Sequence, residues 1–312
     1  MAKTRVEFRT YDGIILRGDY FPAGVENAPV VIMTQGLTLL KECYIDDIAR
    51  RFQHEGIAAL VYDHRGWGSS EGNPYHETNP SQQAEDYHDA VSYVRSLAPK
   101  VDPSRVAIWG IGHSGGASII ATADDPRIKA AIFHMPFTYG RLDAKSMPTG
   151  YLEEACRERE THATTANHKR SYIPVWDDTV EQARSSEGKD RNGRIPWLHG
   201  EGLYGFITGG VDRSRKAGTP WENSLTLQSL YHISRVEPED WIAKIEEPRS
   251  FLYIAAATDV LTGELSNHKR VFERSKNPNA RFVQTGESHA DNYFGNWESC
   301  VQEQVQYLKE FL

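Results

Sequence analysis

Residues 110–116 read Gly-Ile-Gly-His-Ser-Gly-Gly. Within them Gly112, Ser114 and Gly116 make G-x-S-x-G, the spacing that sets a serine on a sharp strand-to-helix turn. A serine hydroxyl attacks a carbonyl only when a base takes its proton, and the base needs an acid to orient it. The spacing predicts Ser114 as the nucleophile. His289, in Gly286-Glu287-Ser288-His289, is the expected base, and Asp259, in Ala257-Thr258-Asp259-Val260, the expected acid. The chain order is then serine, acid, histidine. Asp143 is the alternative acid and His64 the alternative base. Asp291 reads as a helix N-terminal charge and His113 as a packing residue. A negative oxygen would be held by two backbone N–H groups. One is that of Gly115, at the positive end of the helix behind the serine. The other is that of Leu37, in the loop Thr34-Gln35-Gly36-Leu37-Thr38.

These residues need a scaffold, and the hydrophobic pattern supplies one. Arg5–Thr10 and Ile14–Phe21 read as strands around Asp12-Gly13. Pro29–Met33 and Ile57–Tyr62 are short, wholly apolar runs, as central strands of a parallel sheet would be. Arg105–Trp109, Lys129–Phe133, Ser250–Ala255 and Arg281–Gln284 read as further strands. Tyr44, Ile45, Ile48, Ala49 and Phe52 recur at helical spacing. Asn79 and Pro80 open a second helix, with Tyr87, Val91, Val94 and Leu97 as its apolar stripe. Further helices are expected near Ser114–Ala123, near Glu264–Ser275, and at the C-terminus on Trp297, Val301, Val305, Leu308 and Leu312. Alternating β and α elements predict an α/β fold, a mostly parallel sheet with helices on both faces. Ser114, Asp259 and His289 all follow strands, where sites of such sheets form.

Residues 137–240 break the pattern. They are polar, with one helix-like stretch (Glu153–His168), a loop-like stretch (Ser185–Arg194) and scattered aromatics. That is too long for a bare loop. The reading is an inserted, mainly helical cap, with the core made of 1–136 and 241–312. Tyr204 and Trp221 are expected to line the substrate pocket, among the cap aromatics Trp197, Tyr204, Trp221 and Tyr231. The loop Asp63-His64-Arg65-Gly66-Trp67-Gly68-Ser69-Ser70-Glu71-Gly72 reads as structural, with Asp63 and Arg65 able to pair across it.

The 312 residues carry 43 acidic and 35 basic side chains, a net charge of −8. That charge disfavours a nucleic acid or an anionic membrane as partner. The three cysteines, Cys43, Cys156 and Cys300, are too far apart in the chain for a disulfide framework or a zinc site. The first residues lack the apolar stretch of a signal peptide, and no run is long enough to span a bilayer. A soluble, cytoplasmic protein is expected, with a small hydrophobic molecule as substrate and no metal or cofactor; an oligomer stays open. No G-x-G-x-x-G follows the first strand and no G-x-x-x-x-G-K-[ST] occurs, so dinucleotide or P-loop binding has no support.

The chain resembles the α/β-hydrolase superfamily through Gln35-Gly36-Leu37, the 63–72 loop, Gly112-His113-Ser114-Gly115-Gly116, Asp259 and His289. With Asn223-Ser224-Leu225-Thr226-Leu227-Gln228-Ser229-Leu230, it is similar to the dienelactone-hydrolase and acyl-peptidase-like branch. There it looks like the fungal polyketide transferases or thiohydrolases of secondary metabolism. Many relatives have His-Gly before the oxyanion residue, where this chain has Gln35. The resemblance implies a cofactor-free Ser-His-Asp hydrolase acting on an ester, thioester or lactone of a bulky, polyketide-like acyl group. Acyl transfer to an alcohol or amine, and carbon–carbon cleaving or cyclising chemistry, are the alternatives on the same scaffold.

Overall fold

The computed structural model describes all residues except 142–146, 167–168, 186–187, 190–192, 195, 260 and 294–296. Its strands are β1 (Thr4–Arg9), β2 (Ile15–Phe21), β3 (Ala28–Thr34), β4 (Ala58–Tyr62), β5 (Val101–Ile111), β6 (Ala130–His134), β7 (Tyr172–Ile173), β8 (Leu225–Thr226), β9 (Ser250–Ala255) and β10 (Arg281–Gln284). Its helices are α1 (Ile45–His54), α2 (Pro80–Arg95), α3 (His113–Asp124), α4 (Tyr151–Thr164), α5 (Val180–Arg184), α6 (Glu201–Lys216), α7 (Leu227–Ile233), α8 (Glu239–Ile242), α9 (Leu265–Phe272) and α10 (Trp297–Phe311).

Eight strands form one sheet in the order β1-β2-β4-β3-β5-β6-β9-β10. The β1–β2 and β2–β4 pairs are antiparallel and the rest parallel. The central strands are apolar throughout because both faces are covered. Val30 and Ile32, Ala58, Leu60 and Tyr62, and Val106 and Ile108 pack under α2 and α3. Their alternates Val31, Met33, Ala59, Val61, Ala107 and Trp109 pack under α1 and α10. The strand expected to end at Trp109 continues to Ile111, because Gly110 and Ile111 still pair with Phe133 and His134 of β6. α2 starts as its sequence requires, with Asn79 accepting from the Ser81 amide and Pro80 in the first turn.

Between β6 and β9 the described chain holds the helices α4–α8 and the antiparallel β7–β8 ribbon. The ribbon has no counterpart in the sequence reading, since two-residue strands carry no periodicity. A third apolar cluster joins this segment to the sheet. It packs Trp176, Trp197, Phe206 and Leu227 against Leu39, Leu40, Cys43 and Tyr44, just beyond β3. Among the described residues no helix is long and apolar enough to cross a membrane.

The 63–72 loop is structural, with a different pairing from the one expected. Asp63 is buried and takes the Lys41 ammonium at 2.6 Å and the Lys41 amide at 2.9 Å. Arg65 turns away to Asp86, with Nε at 2.8 Å, and to Asp12 at 2.7 Å. The Lys41–Asp63 contact fixes the far end of the loop that leaves β3.

Candidate active site

β5 ends at Ile111 and α3 begins at His113, so one residue, Gly112, makes the turn between them. Its backbone sits at φ 54° and ψ −120°. That conformation is costly for a residue with a Cβ and open to glycine. A Cβ built there would meet nothing nearer than His289, at 3.7 Å from Cε1 and 3.9 Å from Nε2. A serine or cysteine at 112 would set its Oγ or Sγ, one bond further out, against that imidazole. Gly110 is small for a matching reason, since a Cβ there would strike the Ser114 carbonyl. Residues 110 and 114 are therefore the small positions that let strand and helix close around 112. The G-x-S-x-G pattern at 112–116 is the turn motif displaced by two residues.

Ser114 does not meet the base. It is wholly buried in the first turn of α3. Its Oγ accepts from the Ile111 amide at 2.9 Å and points its proton at the carbonyls of Thr34 (2.9 Å) and Ile111 (3.1 Å). No hydrogen bond links it to His289, and it lies off the wall of the cavity that His289 faces. The assignment of Ser114 as nucleophile is corrected: its hydroxyl ties the elbow to β3. Gly115 is corrected likewise. Its N–H is spent on the Gly112 carbonyl at 3.0 Å.

Asp259 and His289 do come together, with His289 Nδ1 2.9 Å from Asp259 Oδ2. Asp259 also accepts from the Leu261 amide (2.8 Å) and the Thr262 hydroxyl (2.7 Å). Burial opposes its charge, but His289 and these donors outweigh burial and hold the carboxyl below its usual range. Asp291 accepts from the Ser288 amide at 2.8 Å and closes the turn that presents His289. Asp143 lies outside the described residues. His64 is buried and shares no hydrogen bond with either member of the pair.

Leu37 lines the same cavity, and the loop before it is tightly held. The Gln35 side chain accepts from the Gly36 amide (2.8 Å) and the Tyr293 hydroxyl (3.2 Å), and donates to the Cys43 carbonyl. Gln35 thus anchors the loop through its own side chain. Thr38, at φ 61°, is gripped by two indoles: Trp176 donates to its hydroxyl at 2.8 Å and Trp221 to its carbonyl at 2.9 Å. The amides of Leu37 and His113 donate to no group among the described residues. They are the pair suited to an oxyanion, with His113, the residue after the turn, in place of Gly115.

The cavity comprises about 540 Å³ of space free of protein atoms, part of it open to solvent. Its apolar wall includes Leu39, Phe137, Trp176, Trp197, Phe206 and Leu261. The substrate-lining roles of Tyr204 and Trp221 are corrected. Trp221 is used in holding Thr38. Tyr204 falls at the edge of the α6 stripe made by Phe206, Ile207, Gly210 and Val211, and does not reach the cavity. The hydroxyls on the described wall are those of Thr262 and Tyr293, committed to Asp259 and Gln35. Among the described residues no three His, Cys, Asp or Glu side chains converge as metal ligands.

Residues 26–189 match the model of the serine aminopeptidase S33 family. The chain belongs to this α/β-hydrolase family. It is 36% identical to a thiohydrolase of Arthrinium phaeospermum over 73% of its own length and 71% of the relative's. It is 29% identical to a polyketide transferase of a Penicillium species, covering 100% of this chain and 98% of the relative. The crystal structure of the α/β hydrolase GrgF from Penicillium sp. sh18 superposes with a TM-score of 0.81 at 28% identity, covering 100% of this chain and 99% of that one. Family, relatives and fold agree that this is an α/β-hydrolase enzyme.

Proposed function

We propose that the chain cleaves a thioester or ester of a bulky apolar acyl group with the His289–Asp259 pair and no enzyme-bound acyl intermediate. The observation that carries this reading is Gly112, a residue without a side chain at the turn that faces the base. The substrate carbonyl lies under the Leu37 and His113 amides, with its acyl chain along Trp176, Trp197 and Phe206. A water stands where the missing side chain would be. His289 Nε2 takes its proton as the oxygen bonds to the carbonyl carbon, and Asp259 stabilises the imidazolium. The two amides hold the oxyanion. Collapse breaks the C–S or C–O bond while His289 returns the proton to the departing thiolate or alkoxide. The products are a carboxylic acid and a thiol or alcohol. The names of the relatives support a thioester and a polyketide-like acyl group.

The same glycine favours a second reading. A base beside an oxyanion site, with no nucleophile against it among the described residues, also suits removal of a proton from the carbon next to a carbonyl, and so a carbon–carbon or cyclising step.

The test is a quenched reaction with acyl thioesters, read by intact protein mass and by product mass. Free acid, with no mass gain on the protein, is expected. His289→Ala should lose activity by about 10²–10⁴-fold, and Asp259→Asn should lower kcat in the same direction. An acylated protein overturns the direct route. A product isomeric with the substrate selects the second reading.

A further inference from the structure

A smaller cavity lies behind the oxyanion loop, with about 200 Å³ free of protein atoms, part of it open to solvent. The loop from Gln35 to Leu39 forms one wall, and His64, Gln83 and His113 contribute to the others. His113 borders both this space and the catalytic cavity. The rear space is more polar than its burial warrants. His64 and His113 are 7% exposed and Gln83 2%. Yet both ring nitrogens of His64, Nε2 of His113 and Oε1 of Gln83 are buried with no hydrogen-bond partner. An unpaired buried polar atom costs about 1–3 kcal/mol. Four such atoms on three residues that line one cavity exceed what a fold leaves unpaired without cause.

The character of these groups narrows what meets them. Burial pushes both imidazoles down to about 3, so each is neutral at working pH. A neutral imidazole offers one N–H and one lone pair, and Gln83 Oε1 adds an acceptor. No charged side chain lines the space among the described residues. It suits a neutral group that both gives and takes hydrogen bonds, and it is too small for a second acyl chain.

We propose that this cavity is a second substrate pocket, which receives a hydroxyl or ketone oxygen carried on the acyl chain close to the reacting carbonyl. His113 makes the connection. Its backbone N–H is the one assigned to the oxyanion and the residue lines both spaces, so a substituent near the carbonyl is set beside the rear space. The inference rests on the acyl-group reading above and adds a feature that the substrate must have.

Binding tests it without turnover. The probes are decanamide and 3-hydroxydecanamide, measured by calorimetry on the wild-type protein, on Gln83→Leu and on His64→Phe, with each variant's fold checked by its melting curve. Wild type should bind the hydroxylated amide at least ~10-fold more tightly, because the analogue without the hydroxyl leaves buried polar groups unpaired. The preference should fall towards unity in Gln83→Leu, and in His64→Phe if that variant folds. Equal affinities in wild type, the result if the space holds ordered water only, would overturn the proposal. So would a preference unchanged in Gln83→Leu. Preferential binding without turnover of any thioester would instead count against the acyl-cleavage reading and leave the pocket standing.

Discussion

At the scale of residues, the segment 110–116 contains two overlapping small-residue patterns, two positions apart. Sequence spacing favours the one with a serine at its centre. The structure uses the other, because Gly110 and Ile111 still pair with β6 and the chain turns only at Gly112. A backbone turn leaves no mark in residue types beyond the glycine that permits it, so the register was not legible. The meeting of His289 and Asp259 was legible, since each follows a strand of the same sheet and each is a titratable residue type. The two amides left without an acceptor among the described residues were half legible: Leu37 was singled out from its loop, whereas His113 depended on the register. Ser114→Ala should therefore keep kcat/KM within about threefold of wild type. It should lose about 1–3 kcal/mol of stability, since Ser114 hydrogen-bonds to three backbone groups in a buried elbow. Steady-state kinetics and urea titration of the one variant check both halves.

At the scale of elements, the central strands were readable because burial on both faces makes them continuous apolar runs, and Ser250–Ala255 appears with the expected bounds, as does the partly exposed edge strand Arg281–Gln284. The segment between β6 and β9 was readable only as an absence of sheet pattern. Its aromatics divide by where their elements place them, which composition does not reveal. Trp176 and Trp221 hold Thr38, whereas Trp197 and Phe206 line the cavity. The two groups should behave differently. Trp221→Phe removes the indole N–H from the Thr38 carbonyl and should lower kcat for long and short acyl substrates alike. Trp197→Ala or Phe206→Ala should cut kcat/KM for the long substrate about tenfold more than for the short one. A chain-length effect at Trp221 and none at Trp197 would reverse this division.

At the scale of the whole molecule, stability carries a pH signature from histidines buried in the neutral state. His134 is one: burial pushes it down to about 3, and it packs edge-on against Trp109 at 5.5 Å. Unfolded, it binds a proton near its ordinary value of about 6.5. Its folded value is the lower one, so stability is full above about pH 6.5 and is lost as pH falls towards 3. Between pH 7.5 and 5 wild type should lose about 2 kcal/mol relative to His134→Phe, measured by urea unfolding; a constant difference would show that the ring binds its proton as readily folded as unfolded, against its burial in the neutral state. The larger question for the molecule is whether it carries a nucleophile at all. A fluorophosphonate, which bonds to an activated serine, answers it when wild type, Ser114→Ala and Gly112→Ser are treated side by side and each adduct is mapped by mass spectrometry. The predicted result is no adduct on wild type or Ser114→Ala, and an adduct at residue 112 in Gly112→Ser, held against His289. An adduct on Ser114 of the wild-type protein, absent from Ser114→Ala, would contradict the account.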